Sequence, residues 1–410
     1  MQSTLALGTA TAALYISEGL PYGIVKEFAP MYLRFAHVDL TSIGLLNVVG
    51  FAWTFKFLWS PFVDAYGTYR RWIAGAVAAI ALSLGGMALM PAPGAPLYGF
   101  IAILALASAT QDIAVDAFSI RATPNRLFGP IISIRVTAYR VALMVPGLLA
   151  VVAQAFGWSS AFATAAVIAA AILVFTLILP DDRGSAAEGP STALGAGSGA
   201  TQSERPNFVS ALKRWLTRPH AFILLAIILT YRLGEFAIVS MIKPYWVDRG
   251  YTPAEIGTIT SVIGVIISIA GAIAGGLLVA RYGLFRALMV LGVTQCASNI
   301  GYAIVATIEA GRWAIYAAAV VENIGFGLGT SAFQALLMSI CDKERAATEY
   351  ALLTATYGVT GTLITSVGGA IAQHLGYPFY FWMTVFLGIP ALFLLPLVRQ
   401  DLDEASDSRR

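Results

Sequence analysis

Charge is what this sequence has least of. Only 11% of its 410 residues are Asp, Glu, Lys or Arg, against 58% hydrophobic, where a soluble chain carries roughly a quarter charged residues. A water-soluble globule is thereby excluded. Cysteine and histidine are equally scarce. The two cysteines, Cys296 and Cys341, fall in or beside apolar runs near opposite membrane faces, so neither a disulfide nor a thiolate metal site is expected. His37, His220 and His374 lie in predicted loops or helix ends, so no metal and no cofactor is expected. Segments of period-2 alternation are absent, which excludes a transmembrane β-barrel. No basic stretch precedes the first apolar run and no cleavage site interrupts it before Glu18. That run therefore reads as a first membrane helix, not a signal peptide.

What is present is a succession of apolar runs of about 20 residues, the length that crosses a bilayer core, and a mean hydropathy of +0.77. The expected fold class is an all-α integral membrane protein with twelve transmembrane helices in two pseudo-symmetric six-helix bundles. The predicted spans are 5–32, 42–62, 72–90, 97–120, 130–155 and 161–179, then 221–246, 255–279, 287–308, 313–340, 350–374 and 379–398. The expected organisation is an N-terminal bundle over 1–180, a cytoplasmic linker over 181–220, a C-terminal bundle over 221–398 and a cytoplasmic tail over 399–410. Residues 184–202 are rich in Gly, Ala and Ser and read as a flexible connection. The basic stretch Phe208–Leu216 either lies on the anionic inner leaflet or opens span 7.

Placing the N-terminus inside gathers Arg70, Arg71, Arg121, Arg126, Arg281, Arg286 and the basic residues of the linker and tail on the cytoplasmic side. Only Arg34, Arg249 and Arg312 remain outside, so both termini are expected in the cytoplasm of a multi-pass inner-membrane protein. The two halves also resemble each other. Tyr32…Ile43-Gly44 is echoed by Tyr245…Ile256-Gly257, and Tyr66-Gly67…Arg70 by Tyr282-Gly283…Arg286. The offsets, position 32 to 245 and 66 to 282, are nearly equal, and a repeat of six helices is the simplest account. Two such halves joined by a long cytoplasmic linker resemble the organisation of major facilitator transporters.

Against this background, Gln111, Asp112 and Asp116 in span 4 are anomalous. A carboxylate in hydrocarbon costs about 2.5–3.5 kcal/mol on insertion scales and needs a partner or a water-filled cavity. Four residues apart, the two aspartates share a helical face. Lys56 in span 2 has similar depth and is a candidate ion-pair partner, the alternative being that it snorkels to the interface. Glu18 in span 1, Glu322 in span 10, and Arg232 with Glu235 in span 7 complete a set in which acids fall on spans 1, 4, 7 and 10. Asp112 and Asp116, then Glu18 and Glu322, are the candidates for proton coupling. Gln111, Arg140, Arg232, Glu235, Asn323 and Gln334 are candidate substrate contacts, with Arg232 alternatively pairing with Glu235 one turn away. Lys26 and Glu27 read as rim or gate residues, and Arg135 as a snorkelling side chain. Asp64 with Arg70 and Arg71 resembles the facilitator loop between helices 2 and 3, which implies a charge latch; the alternative is an ordinary positive-inside turn. The Gly325, Gly327 and Gly329 run, like Gly271, Gly275 and Gly276, reads as a close-packing surface and not as a nucleotide loop.

The matching runs are Gly19-Leu-Pro21, Lys56-Phe-Leu-Trp-Ser-Pro61 with Asp64, Gln111-Asp-Ile113 with Asp116-Ala117, and Tyr139-Arg140. In the second half they are Tyr231-Arg-Leu-Gly234, Ala297-Ser-Asn-Ile-Gly-Tyr302, and Glu322-Asn323 through Thr330-Ser-Ala-Phe333. Together these resemble the AmpG permeases, a muropeptide and peptide–acetyl-CoA branch of the major facilitator superfamily. The resemblance implies a secondary transporter, not an enzyme, that imports an anionic muropeptide-like solute with protons by alternating access. It implies as partners a small-molecule substrate, protons and membrane lipid, no nucleic acid, and a monomer. The alternatives are a siderophore permease, an acyl-CoA or peptide transporter, and, from another class, a membrane receptor that binds without translocating.

Overall fold

The computed structural model describes residues 2–90, 92–122, 128–178, 217, 220–340 and 346–402, with backbone alone at 2–7, 64, 65, 120–122, 128–133, 136, 346–349, 351 and 352. Most of the expected linker and tail, and Cys341, lie outside the described residues. Among them run twelve long helices: α1 (2–35), α2 (40–65), α3 (Tyr69–Ala88), α4 (Ala95–Ala122), α5 (128–156), α6 (Trp158–Ile178), α7 (Ala221–Asp248), α8 (Pro253–Tyr282), α9 (Leu284–Thr307), α10 (Arg312–Ile340), α11 (346–375) and α12 (377–402). Helices α11 and α12 run together except for Gly376, whose φ of 80° breaks the α-helical path.

Several helices are interrupted where the charged residues sit. Helix α1 opens into a π-helical turn over Ile24–Phe28, which contains Lys26 and Glu27. Helix α2 tightens to a 3₁₀ turn over Lys56–Leu58, and Pro61 begins its last segment. Helix α7 breaks between Thr230 and Leu233, with Arg232 at φ −101° and ψ 7°. Such interruptions free backbone groups from the regular ladder and recur at functional sites.

The helices form two contact units, each drawing on both halves of the sequence. Unit 1 comprises 1–36, 49–203 and 251–262, and unit 2 comprises 37–48, 204–250 and 263–410. The core of unit 1 gathers Leu14, Tyr15, Ile73, Val77, Ala114, Val115 and Ala138. That of unit 2 gathers Ile228, Tyr231, Leu288, Leu291, Phe333, Leu336 and Leu395. Apolar side chains such as Leu89, Phe156, Trp313 and Phe393 remain exposed, as expected where the solvent is lipid.

The repeat read from the sequence extends into the packing. Tyr32 meets Trp158 at 5.1 Å and Phe162 edge-on at 5.2 Å. In unit 2, Tyr245 meets Tyr377 at 5.1 Å and Phe381 edge-on at 5.3 Å. The turns match as well: Gly67 and Gly283 follow α2 and α8 with φ of 78° and 81°, and Gly157 and Gly376 precede α6 and α12 with φ of 87° and 80°. Positive φ is where glycine is free of the Cβ penalty.

Two further pairs fasten the starts of α2 and α8. The first N–H groups of a helix have no partner within it. In unit 2 the Leu40 N–H donates to Gln373 Oε1 at 3.0 Å, and in unit 1 the Ala254 N–H donates to Gln154 Oε1 at 2.9 Å. Beside each bond two glycines cross backbone to backbone, Gly44 on Gly369 and Gly257 on Gly147, with no room for a Cβ. The glycine surface of α10 packs as expected: Gly325 faces Ser298, Gly327 faces the Ser268 carbonyl and Gly329 faces Gln295. Gly271 and Gly275 of α8 meet the backbone of α10, whereas Gly276 faces open space and takes no part in that surface.

Candidate proton and substrate site

The acids of α1 and α4 converge inside unit 1, and two cations meet them. Lys56 Nζ lies 3.4 Å from Asp112 Oδ2, as the shared depth of spans 2 and 4 predicts. Asp116 takes a different partner. Arg135 Nη2 donates to Asp116 Oδ1 at 2.5 Å, and Tyr15 OH donates to the same oxygen at 2.7 Å. The Arg135 guanidinium also stands over the Tyr15 ring, 4.5 Å from its centre. Arg135, expected to snorkel, instead has its charge held by a carboxylate and an aromatic face. Glu18, one turn from Tyr15, has Asp112, Asp116, Lys56 and Arg135 as charged neighbours. Its Oε2, like Asp112 Oδ1, is buried without a hydrogen bond.

Gln111 is fully buried and donates to Ser17 Oγ, tying α4 to α1. Trp59, at the 3₁₀ break, donates to Thr110 Oγ1 at 3.2 Å and holds α2 on α4 close to the Lys56–Asp112 pair. Arg140 is half-buried in α5 and has no hydrogen bond or ion pair among the described residues. Glu27 Oε2, in the π turn, accepts from Ser261 Oγ at 2.8 Å, also within unit 1.

In unit 2 the expected residues separate into three places. Arg232 binds Glu235 through Nε at 3.0 Å and through Nη2. Arg232 also reaches Thr330 at 3.3 Å, and Phe236, Phe326 and Phe333 surround the guanidinium at 5.3, 5.7 and 5.7 Å. Gln295 completes the group by donating to Glu235 Oε2. This is the i, i+3 pairing weighed as the alternative, and both side chains are over nine-tenths buried. Glu322 is 5% exposed, with no hydrogen bond or ion pair among the described residues. Asn323 donates to the Ala319 carbonyl at 2.9 Å and packs against Gly264 of α8. Gln334 Oε1 accepts from Tyr350 at 2.5 Å.

The side chain of Asp64 lies outside the described residues, so the latch is not represented; Arg70 is half-buried and Arg71 exposed at the start of α3. Sequence reasoning passed over Tyr15, Ser17 and Gln295, and assigned Arg135 to the interface. Tyr15 carried a signal in its i, i+3 spacing from Glu18, and Arg135 in its place one helix away from Asp116 with a charge that needed a partner.

The Major Facilitator Superfamily family matches residues 7–364. The chain is 30% identical over 401 residues to the anhydromuropeptide permease of Escherichia coli K12, an alignment covering 95% of this chain and 79% of that one. It is 25% identical to the putative transporter AmpG 4 of Rickettsia conorii, over 93% of this chain and 94% of the relative. Its fold resembles the nucleoside transporter NupG, with a TM-score of 0.69, 16% identity and 95% and 98% of the two chains covered. It also resembles a D-xylose–proton symporter, with a TM-score of 0.71, 12% identity and 96% of each chain covered. These likenesses extend over more than nine-tenths of the chain. The chain thus belongs to the major facilitator superfamily as an AmpG-like permease, a multi-pass secondary transporter.

Proposed function

We propose that this transporter imports an anionic muropeptide-like solute across a bacterial inner membrane together with protons, by alternating access. The observation that carries the reading is the acid cluster of unit 1, where Glu18, buried Asp112 and part-buried Asp116 gather with Lys56 and Arg135 inside the span helices. Carboxylates so placed are expensive in a bilayer, and a changing proton count among them couples charge movement to a conformational cycle. The identity with the anhydromuropeptide permease supports the choice of substrate. Arg140 is the first candidate for an anionic group of that solute, because no carboxylate among the described residues occupies its guanidinium. Gln111, Asn323 and Gln334, and the Arg232–Glu235 pair, serve in this reading to shape the surroundings of the solute. Glu322 is a further proton-binding carboxyl.

In this reading the bundles 1–180 and 221–398 rock as a monomer in the lipid about the cytoplasmic linker 181–220, with Asp64, Arg70 and Arg71 latching the N-terminal bundle. Both termini and the tail 399–410 face the cytoplasm, following the positive-inside distribution of Lys and Arg. The test is uptake of labelled anhydro-muropeptide into proteoliposomes under an imposed inward proton gradient. Asp112→Asn is expected to abolish gradient-driven uptake at normal protein levels; wild-type uptake by that variant overturns the coupling role. Accumulation of a siderophore, a dipeptide or an acyl-CoA in place of the muropeptide reassigns the substrate. Binding without counterflow makes the chain a receptor.

A further inference from the structure

Three carboxyls and two cations make an odd count in unit 1. Lys56 balances one carboxylate and Arg135 another, which leaves one negative charge without a counter-ion among the described residues. The groups facing the three carboxyls are Tyr15 from α1, Lys56 from α2, and Arg135 and Tyr139 from α5; Tyr22 and Glu27 of α1 reach only Tyr139, and Glu27 is bound to Ser261. No third cation is among them in the described residues.

The hydrogen bonds say where the odd charge does not reside. Asp116 is the best satisfied of the three acids, with Arg135 at 2.5 Å and Tyr15 at 2.7 Å on one oxygen. Both donors prefer the ionised carboxylate. Arg135 is itself fixed, because the Tyr15 ring lies beneath its guanidinium. The unsatisfied atoms are Glu18 Oε2 and Asp112 Oδ1, and Asp112 heads the charged neighbours acting on Glu18. Two carboxyls near each other, each with a buried oxygen lacking a donor, are a place where one proton supplies the missing hydrogen bond and removes the surplus charge.

We propose that Glu18 and Asp112 hold one exchangeable proton between them, and that Arg135 and Tyr15 are positioning residues that keep Asp116 a permanent carboxylate. The inference rests on the proton-coupled reading above and divides its labour. When the proton leaves to water, the cluster passes from neutral to one net negative charge, and Lys56 is the cation best placed to follow that change. Asp116 and Arg135 stay paired throughout and hold α4 to α5.

The test needs no substrate, so it can fail or succeed independently of transport. Purified protein carrying Glu322→Gln, which removes the other buried carboxyl that has no ion-pair partner among the described residues, is titrated by infrared spectroscopy, reading the carbonyl band of protonated carboxyls. One titrating band is expected, shifted by carboxyl-¹³C glutamate and by carboxyl-¹³C aspartate alike. Glu18→Gln is expected to abolish the band. Asp116→Asn is expected to retain it with the midpoint moved to lower pH, because Arg135 is then free to act on the pair. Arg135→Gln is expected to add a second aspartyl band, and Arg135→Lys to restore the single one. A band that disappears in Asp116→Asn and survives in Glu18→Gln overturns the proposal. If the Glu18 variant does not fold, the labelling decides: a band insensitive to labelled glutamate also overturns it. A normal titration in a protein whose uptake ignores the proton gradient leaves this assignment standing and rejects the coupled-transport reading.

Discussion

Arg232 and Glu235, three residues apart at the break in α7, close on each other as a buried ion pair and share Gln295 and Thr330 as further partners. The pair faces inward among Phe236, Phe326 and Phe333. It is built to be left intact, since removing one member strands the other charge away from water.

Breaking this pair should therefore be costly. Arg232→Met or Glu235→Leu alone is expected to destabilise the protein by about 3–5 kcal/mol, and the double variant by clearly less than the sum. Arg232→Lys is expected to fall between, because an ammonium cannot engage Glu235 through two nitrogens. Thermal unfolding of the four proteins in one detergent checks this; additive single effects would contradict it.

The α8–α10 contact offers a test on glycine. Gly271→Ala drives a Cβ onto the Ile324 carbonyl and Gly327 and is expected to cost about 1–3 kcal/mol through overpacking. Gly276, nearby in the same helix, has nothing within 4 Å. Gly276→Ala is expected to stabilise by about 0.5–1 kcal/mol from the backbone entropy of glycine. Melting temperatures moving in the same direction would contradict the packing described.

The two glutamine bonds make a third case. Gln373→Ala and Gln154→Ala each leave a helix-start N–H without its side-chain acceptor, an effect of about 0.5–1.5 kcal/mol. Gln373→Glu and Gln154→Glu keep the acceptor and add a charge favoured at a helix N-terminus, so they are expected to retain stability. Hydrogen exchange at Leu40 and Ala254 reads each bond directly, and should rise only in the alanine variants.

Much of this architecture was legible in the sequence because bilayers enforce length and apolarity on every span, and because charged residues inside a span have few allowed fates. Lys56 and Asp112 were matched on depth alone, and they meet. Arg232 and Glu235 were one turn apart, and they pair. What could not be read was the choice among equally spaced partners. Asp112 and Asp116 share a helical face, yet their partners come from different helices, and Asp116 goes to Arg135 because α5 brings a guanidinium there. Depth along one helix says nothing of which neighbour faces it, and so Arg135 was assigned to the interface. Nor does spacing reveal that Asn323 bonds back to its own helix while Glu322, its neighbour, bonds to nothing described.

A pH effect follows at the start of α2, outside the membrane span. Asp39 caps the helix, accepting from the Ser42 N–H at 2.9 Å and the Ser42 hydroxyl at 2.7 Å. These bonds hold its carboxyl below the usual range. A folded value below the unfolded one, about 4, means the cap contributes fully above the unfolded value and is lost as pH falls through the folded one. Hydrogen exchange at Ser42, corrected for intrinsic rates, should therefore quicken on acidification in the wild type. In Asp39→Asn, which caps without titrating, it should stay level.

Unit 2 takes residues 37–48 from the early part of the chain, and unit 1 takes 251–262 from the late part. Each unit borrows the first turns of one helix, and each borrowed segment is fastened by a glutamine and a pair of crossing glycines. Neither half of the gene therefore encodes a finished body. A protein cut within 184–202 and expressed as two polypeptides should yield fragments that are short-lived apart and stable together. The association of the fragments would then report on these small seams, Gly44 with Gly369 and Gly147 with Gly257, without any reference to what the transporter carries.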